Sequence, residues 1–302
     1  MAACNDNPKR GLRTDEPIPD CISEFFVTER IHSFYEELAD HYHLIFEDWE
    51  RTIARQAVVL GALLRMELSV HPLRILDCAC GIGTQSIGFA AMGYQVVASD
   101  FSSKAVERAR SEARRRSLDI QFRVSDMTSL LEVPESGFDA VTAIDNALPH
   151  LSATQLAQAV SAIASKLRPN GVFIASIRDY DKIIMEKPTS QEPAFYGSLA
   201  SRRIVHQIWD WIEDDRYVLH LYITAQTGQR WETHHFVSEY RCLLRGELSS
   251  LLVDSGFSDV RWLMPAESGF YQPLVLARLS THDRRSQKPA HASLERKHLF
   301  IL

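Results

Sequence analysis

Gly81 and Gly83 close the segment Leu73-Arg-Ile-Leu-Asp77-Cys78-Ala79-Cys80-Gly81-Ile82-Gly83. It is an apolar run followed by a turn in which the backbone bends sharply and a ligand can come closer than a Cβ would allow. Seventeen residues after Gly83, at the end of the next apolar run, stands Asp100, with Phe101 beside it. A carboxylate at that place can accept both hydroxyls of a ribose. The pair describes an adenosine-binding crevice. A dinucleotide would want a glycine three residues after Gly83, where a helix N-terminus meets the pyrophosphate; Ser86 stands there, and Gly88 is out of register. S-adenosylmethionine has no phosphate. It needs loop backbone for its amino-acid part, an acid for its ribose and a polar contact for its adenine amine.

Val124-Ser125-Asp126-Met127 supplies that contact, with Asp126 at the ring edge and Met127 against the ring face. Asp145-Asn146-Ala147-Leu148-Pro149-His150-Leu151 adds polar groups beside the methyl donor. Each acid also has a plainer use. Asp77 can order the turn, and Asp126 can cap a helical turn after Thr128. An acid in the place of Asp100 has few structural duties.

The elements that must position these residues can be read from periodicity. Short apolar runs at 73–77, 94–100, 119–124, 138–145 and 171–177 alternate with amphipathic segments at 84–92, 102–116 and 152–167. Ser102 and Ser152 are N-cap residues, and Asn170-Gly171 stops the third helix. Strand and helix alternating at this pace specify a parallel sheet wrapped by helices. The expected fold is α/β: a doubly wound, mostly parallel seven-stranded sheet, Rossmann-like. Two helices precede it, around Glu24–Leu44 and Asp48–Arg65, the second with Ile53, Ala57, Leu60 and Leu64 on one face. After the fifth strand the texture changes. Runs at 202–211, 216–226 and 231–241 are rich in β-branched and aromatic residues and separated by short turns, which predicts an antiparallel meander. A helix at 245–255 and strands at 259–264 and 272–279 complete the sheet. The expected division is an arm over 1–21, a helical lid over 22–70, a sheet-centred domain over 71–280 with an antiparallel cap inserted at about 180–241, and a tail over 281–302.

Composition narrows the classes. Of 302 residues, 45% are hydrophobic and 24% charged, enough apolar material for a core. A net charge of −6 carries no clustered basic footprint for nucleic acid. The densest apolar run, 57–64, is far short of the roughly 20 residues a bilayer needs. The first twenty residues lack a signal peptide's apolar stretch. A cytoplasmic protein without nucleic-acid or membrane partners is expected, and a homo-oligomer is compatible with that. Five cysteines, odd in number, read as reduced thiols. Cys78-x-Cys80 has no second cluster at ligand spacing, and the His41/His43 and His234/His235 pairs lack helical ligand spacing, so no metal is expected.

With these motifs the chain resembles the class I S-adenosylmethionine-dependent methyltransferases, most closely the glycine and sarcosine N-methyltransferases. The general pattern covers about Leu73–Leu279; the closer one includes the helical entry. The resemblance implies cofactor contacts from Ala79, Asp100, Asp126-Met127 and Ile144, to which our reading of the turn adds Asp77, Gly81 and Gly83. It also implies a tyrosine and an arginine from the entry segment, Tyr42 or Tyr35 and Arg51 or Arg55, of which we assign Tyr42 and Arg55. Substrate positioning falls to Asn146, Arg178 and Tyr222. Asp126-Met127 stands where some members carry Asn-Trp, which alters adenine packing.

Chemistry supports the same roles. A guanidinium at the end of the fifth strand, Arg178, can grip a carboxylate bidentately, unless Asp179 or Asp181 pairs with it. Methyl transfer to an amine moves a positive charge rather than creating one, so orientation does most of the work. His150 can take the amine proton or can serve as a hydrogen-bonded support, the role we favour. The expected activity is methyl transfer to the amine of glycine, sarcosine or a related small molecule. The alternatives are an O- or C-methyltransferase with an aromatic pocket of Trp209, Trp211, Tyr222 and Trp231, and a non-catalytic S-adenosylmethionine-binding protein.

Overall fold

A computed structural model describes residues 20–281 apart from Pro72 and Ala200, with side chains from Glu29 onward. The arms expected over 1–21 and 281–302 lie outside the described residues, but for Asp20, Cys21 and Thr281. The chain opens with helix α1 (Asp20–Leu38), a 3₁₀ turn at Tyr42–Ile45, and α2 (Trp49–Glu67). The single helix expected to Leu44 is thus cut short. Past Leu38 the carbonyls of Ala39 and Asp40 leave the helical ladder and accept from the Arg108 guanidinium at 3.4 and 2.8 Å. Asp48 caps α2 by accepting from the Arg51 N–H. The buried stripe of α2 is the one its spacing predicts, Ile53, Ala57, Leu60 and Leu64.

Strands β1 (Arg74–Asp77), β2 (Gln95–Asp100), β3 (Ile120–Val124), β4 (Phe138–Ala143) and β5 (Leu167–Ser176) are joined by α3 (Thr84–Ala91), α4 (Ser103–Arg115) and α5 (Ala153–Lys166). Ser102 and Ser152 are the N-caps of α4 and α5, and Ser152 forms a full capping box with Gln155. β5 begins four residues earlier than expected. Its first residues pair with Phe138 across a register shift, and Asn170 absorbs the irregularity at φ 60°.

Past β5 come α6 (Tyr180–Glu186) and four antiparallel strands, β6 (Ser190–Tyr196), β7 (Arg203–Trp211), β8 (Arg216–Thr227) and β9 (Arg230–Arg241). α6 and β6 had no counterpart in the periodicity. Then follow α7 (Arg245–Asp254), β10 (Phe257–Leu263), the single turn α8 (Pro265–Ser268) and β11 (Leu274–Leu279).

The large sheet has the order β10-β11-β5-β4-β1-β2-β3. β1 to β5 pair in parallel; β11 runs antiparallel to β5, and β10 to β11. The order reverses between β1 and β4, and in a sheet of this kind ligands lie beyond the strand ends at that point. Gly88 explains how α2 reaches the sheet, since a Cβ there would stand 2.8 Å from the Ala57 Cβ. The inward residues of the antiparallel sheet, among them Trp209, Tyr217, Leu219, Leu221 and Tyr240, share one buried cluster with Phe34 and Leu38 of α1 and Phe173 and Ile177 at β5. Among the described residues no helix is long and apolar enough to cross a membrane.

Leu60 is fully buried, which makes α2 part of the core rather than a loose cover. Leu60→Ala should therefore destabilise the protein by about 2–5 kcal/mol. Urea unfolding checks this; a shift worth well under 1 kcal/mol would mean that α2 is peripheral.

Candidate functional site

Two cavities lie beyond the C-terminal ends of the parallel strands. One is a narrow crevice of about 80 Å³ over the β1–α3 turn, and the other a cavity of about 670 Å³ beneath the antiparallel sheet. Tyr35, Tyr42 and Asp145 line both, so the two spaces meet there.

Of the residues the sequence pointed to, Tyr42, Ala79, Gly81, Asp100, Phe101, Asp126, Met127 and Ile144 line the crevice. Gly81 sits at φ +49°, and a Cβ on it would fill the gap to the Tyr42 ring, reaching 3.6 Å from Cε1. Asp100 Oδ2 accepts from the Gly81 N–H at 2.8 Å and Oδ1 from the Ser102 N–H at 3.0 Å. Burial pushes its carboxyl up to about 6, while the N–H groups of Ser102, Gly81 and Phe101 pull the other way. Asp126 is exposed, and its Oδ1 accepts from the Thr128 N–H at 2.8 Å, so it orders its turn while also facing the crevice.

Two turn residues lie elsewhere. Asp77 is completely buried and accepts from Ser86 Oγ at 2.6 Å and Thr142 Oγ1 at 3.2 Å, tying β1 to α3 and β4. Gly83 is the left-handed N-cap of α3. Neither lines either of these two cavities; in this structure both shape the turn. Arg55 is exposed and lines the larger cavity instead of the crevice.

Asn146 and Arg178 line the larger cavity. Asn146 is spent on the chain, its Oδ1 accepting from the Arg178 N–H at 2.9 Å and its Nδ2 donating to the Tyr180 hydroxyl at 2.9 Å. Arg178 donates to the Tyr217 hydroxyl at 3.0 Å and to Gln207 Oε1 at 3.2 Å, with its guanidinium 4.9 Å from the Trp209 ring and 5.3 Å from that of Tyr240. Burial opposes this charge, but the oxygens of Tyr217, Tyr180 and Tyr240 outweigh it, and the group stays above its ordinary pKa. Asp179 and Asp181 do not pair with it; Arg245 takes both, at 2.7 and 3.4 Å. Among the described residues no carboxylate lies within ion-pair reach of Arg178.

Tyr222 does not join them. It lies on the opposite face of β8, stacked between His206 at 4.9 Å and His235 at 4.4 Å. Side chains alternate along a strand, and Tyr222 is an odd number of residues from Tyr217, which faces inward. The inward tyrosines are Tyr217 and its register partner Tyr240. The four-residue aromatic pocket likewise does not assemble. Trp209 reaches the cavity, whereas the Trp211 ring N–H donates to the Pro188 carbonyl and Trp231 is exposed.

His150 is a support. Its Nδ1 bonds the Glu239 carbonyl at 3.1 Å, so it carries the proton, and Nε2 accepts from the Tyr35 hydroxyl at 2.8 Å. Burial pushes its pKa down to about 3. It stays neutral with its lone pair in use. Gln85, Gln207 and Tyr271 were not singled out from sequence; they are ordinary polar residues that only the fold brings to one place.

Residues 75–171 match the family described as a methyltransferase domain. Residues 75–171 thus carry a methyltransferase domain, set in a sheet of the class I topology. S-adenosylmethionine is the methyl donor of that class, and the crevice has the donors, acids and bare backbone to hold it. Relatives of this methyltransferase domain include rat glycine N-methyltransferase, 34% identical over 146 residues that make up 44% of this chain and 48% of the relative. A Xanthomonas campestris ubiquinone biosynthesis O-methyltransferase is 35% identical over 103 residues, 34% of this chain and 42% of the relative. The chain thus spans about half the length of the curated relatives it matches. DesVI of Streptomyces venezuelae shares the fold, with a TM-score of 0.66 at 19% identity over 79% of this chain and 97% of that one.

The burial of Asp77 makes stability depend on pH. Its carboxyl is raised from 3.8 to about 7, so the folded state holds a proton that the unfolded state has lost across that range. Wild-type stability should therefore fall relative to Asp77→Asn as the pH rises from about 4 to about 7, and the difference should level off above that. Urea midpoints of both proteins across this range test it; parallel curves would refute the assignment.

Proposed function

We propose that the chain transfers the methyl group of S-adenosylmethionine to the amine of a small molecule that carries a carboxylate. One observation carries this reading: Arg178, a guanidinium without a carboxylate partner, lines a cavity that opens into the crevice of a methyltransferase domain. A charge taken out of water and compensated only by neutral oxygens and ring faces favours an anion that arrives with the ligand. The name of the rat relative, a glycine N-methyltransferase, supports an amino-acid acceptor.

In this reading S-adenosylmethionine, when bound, supplies a methyl group activated by a sulfonium. Asp100 accepts the ribose hydroxyls, the Ala79–Gly81 backbone meets the amino-acid part, and Asp126 and Met127 take the edge and face of the adenine. Arg178 holds the acceptor's carboxylate, and Asn146 fixes Arg178 by binding its main chain. The amine nitrogen must reach the methyl carbon in line with sulfur, at about 3 Å. The walls of the cavity keep water from the nucleophile.

Labelled methyl transfer over amino acids, amines lacking a carboxylate, and phenols tests the reading. Transfer to phenols alone would refute it. Arg178→Ala should raise KM for the acceptor by about 100-fold, roughly 2.7 kcal/mol, with a smaller change in kcat. Asp100→Ala should weaken cofactor binding by at least about tenfold, roughly 1.4 kcal/mol, in calorimetry. Wild-type affinity for the cofactor should decline as the pH falls through about 6, where Asp100 becomes protonated.

A further inference from the structure

We propose that Asp145 receives the ammonium group of the acceptor while Arg178 holds its carboxylate, so that the acceptor is a zwitterionic amino acid with a body larger than that of glycine. This rests on the reading of the chain as a methyltransferase of carboxylate-bearing amines, and it specifies which end of the acceptor faces the methyl donor.

Place is the first ground. Asp145 lies with Tyr35 and Tyr42 where the two cavities join, and an amine must come there to meet the methyl group. Arg178 lines only the larger cavity. Charge is the second ground. Asp145 Oδ1 accepts from the Tyr271 hydroxyl at 2.5 Å and Oδ2 from Gln85 Nε2 at 2.8 Å, both neutral donors. Among the described residues no cationic side chain pairs with it. One cavity wall therefore carries a carboxylate and a guanidinium that are not paired with each other, the imprint of a ligand with both charges.

The backbone is also held for the purpose. Asp145 and Asn146 both adopt positive φ, 61° and 67°, a conformation that costs non-glycine residues about 1 kcal/mol or more each. Ser176 fixes both, its Oγ accepting from the Asp145 N–H at 2.8 Å and its carbonyl from the Asn146 N–H at 3.2 Å. Size sets the rest of the acceptor. About 670 Å³ falls within the roughly 300–1,000 Å³ of sites that bury drug-sized ligands, and Phe34, Leu38, Phe46, Leu219 and Leu221 give it apolar walls. An aliphatic or aromatic side chain fits there.

The chemistry balances. The ammonium N–H breaks and its proton passes to an oxygen of Asp145. The freed lone pair then forms the N–C bond as the C–S bond breaks with its electrons to sulfur. After the methylated product leaves, Asp145 returns the proton to water. Burial holds its carboxyl above the usual range, which brings it closer to an ammonium.

Calorimetry on protein saturated with S-adenosylhomocysteine tests this with glycine, leucine, phenylalanine, 3-phenylpropanoate (carboxylate only) and phenethylamine (amine only). Leucine or phenylalanine should bind at least tenfold more tightly than glycine, and phenylalanine at least tenfold more tightly than either analogue with one charge. Asp145→Asn should lower phenylalanine to the affinity of 3-phenylpropanoate while leaving the latter and S-adenosylhomocysteine unchanged. The proposal is overturned if no amino acid binds, if wild type holds 3-phenylpropanoate as well as phenylalanine, or if Asp145→Asn weakens S-adenosylhomocysteine and spares the amino acid. The wild-type comparison decides even where the variant does not fold. Methyl transfer is read separately. Amino acids that bind with this signature but are never methylated refute the activity, whereas methylation of an amino acid that Asp145→Asn leaves untouched refutes only the role of Asp145.

Discussion

A half-buried guanidinium without a carboxylate partner is a demanding thing for a fold to hold, because withdrawing the charge from water is costly unless something replaces the lost solvation. Arg178 has its replacement assembled from three directions. The Asn146 amide, at the end of β4, anchors its main chain. The Tyr217 hydroxyl on β8 and the Gln207 amide on β7 take its donors, and the rings of Trp209 and Tyr240 stack on it. The parallel sheet alone cannot meet that demand. The antiparallel sheet supplies most of the shell, which gives its inward face of tyrosine and tryptophan a physical reason beyond apolar burial.

The switch point of the large sheet sets where everything else can stand. β1, β2 and β3 end over the narrow crevice and contribute Ala79, Asp100 and Asp126. β4 and β5 end beside the larger cavity and contribute Asn146 and Arg178. Asp145 belongs to both, because β4 is the strand at which the order reverses. Asp145 and Asn146, both in left-handed conformation, come just past the end of β4, so the chain turns abruptly and sends neighbouring side chains in different directions.

Much of this could be read from the chain itself. Strands and helices of an α/β sheet have unlike periodicities, and a ligand-binding residue at a strand end sits in a fixed place relative to its run, which is why Asp100, Asp126 and Met127 meet in one crevice; Ala79 and Ile144, which the resemblance implied, join them there. Tyr222 shows where that reasoning stops. In the meander tyrosine, histidine and aliphatic residues occur on both faces, so alternation does not say which face is inside; only α1 packed against β9 decides it, favouring Tyr217 and Tyr240. Asp77 is ambiguous for another reason. An acid at the end of β1 can look outward to a ligand or inward to Ser86 and Thr142, and both hydroxyl partners depend on tertiary placement. Arg55 lines the larger cavity rather than the crevice, a placement that the entry segment's spacing does not fix. The break at Ala39–Asp40 came from Arg108, more than sixty residues away.

Arg203 of β7 donates to the carbonyls of Leu44, Phe46 and Glu47, and the His41 and His234 rings lie 3.9 Å apart, tilted by 40°. The entry segment that carries Tyr42 over the crevice is thereby fastened to the sheet that walls the larger cavity. Roof and wall are one body. A change at Arg203 therefore reaches both spaces at once, because the segment that covers the crevice hangs from the strand that walls the larger cavity.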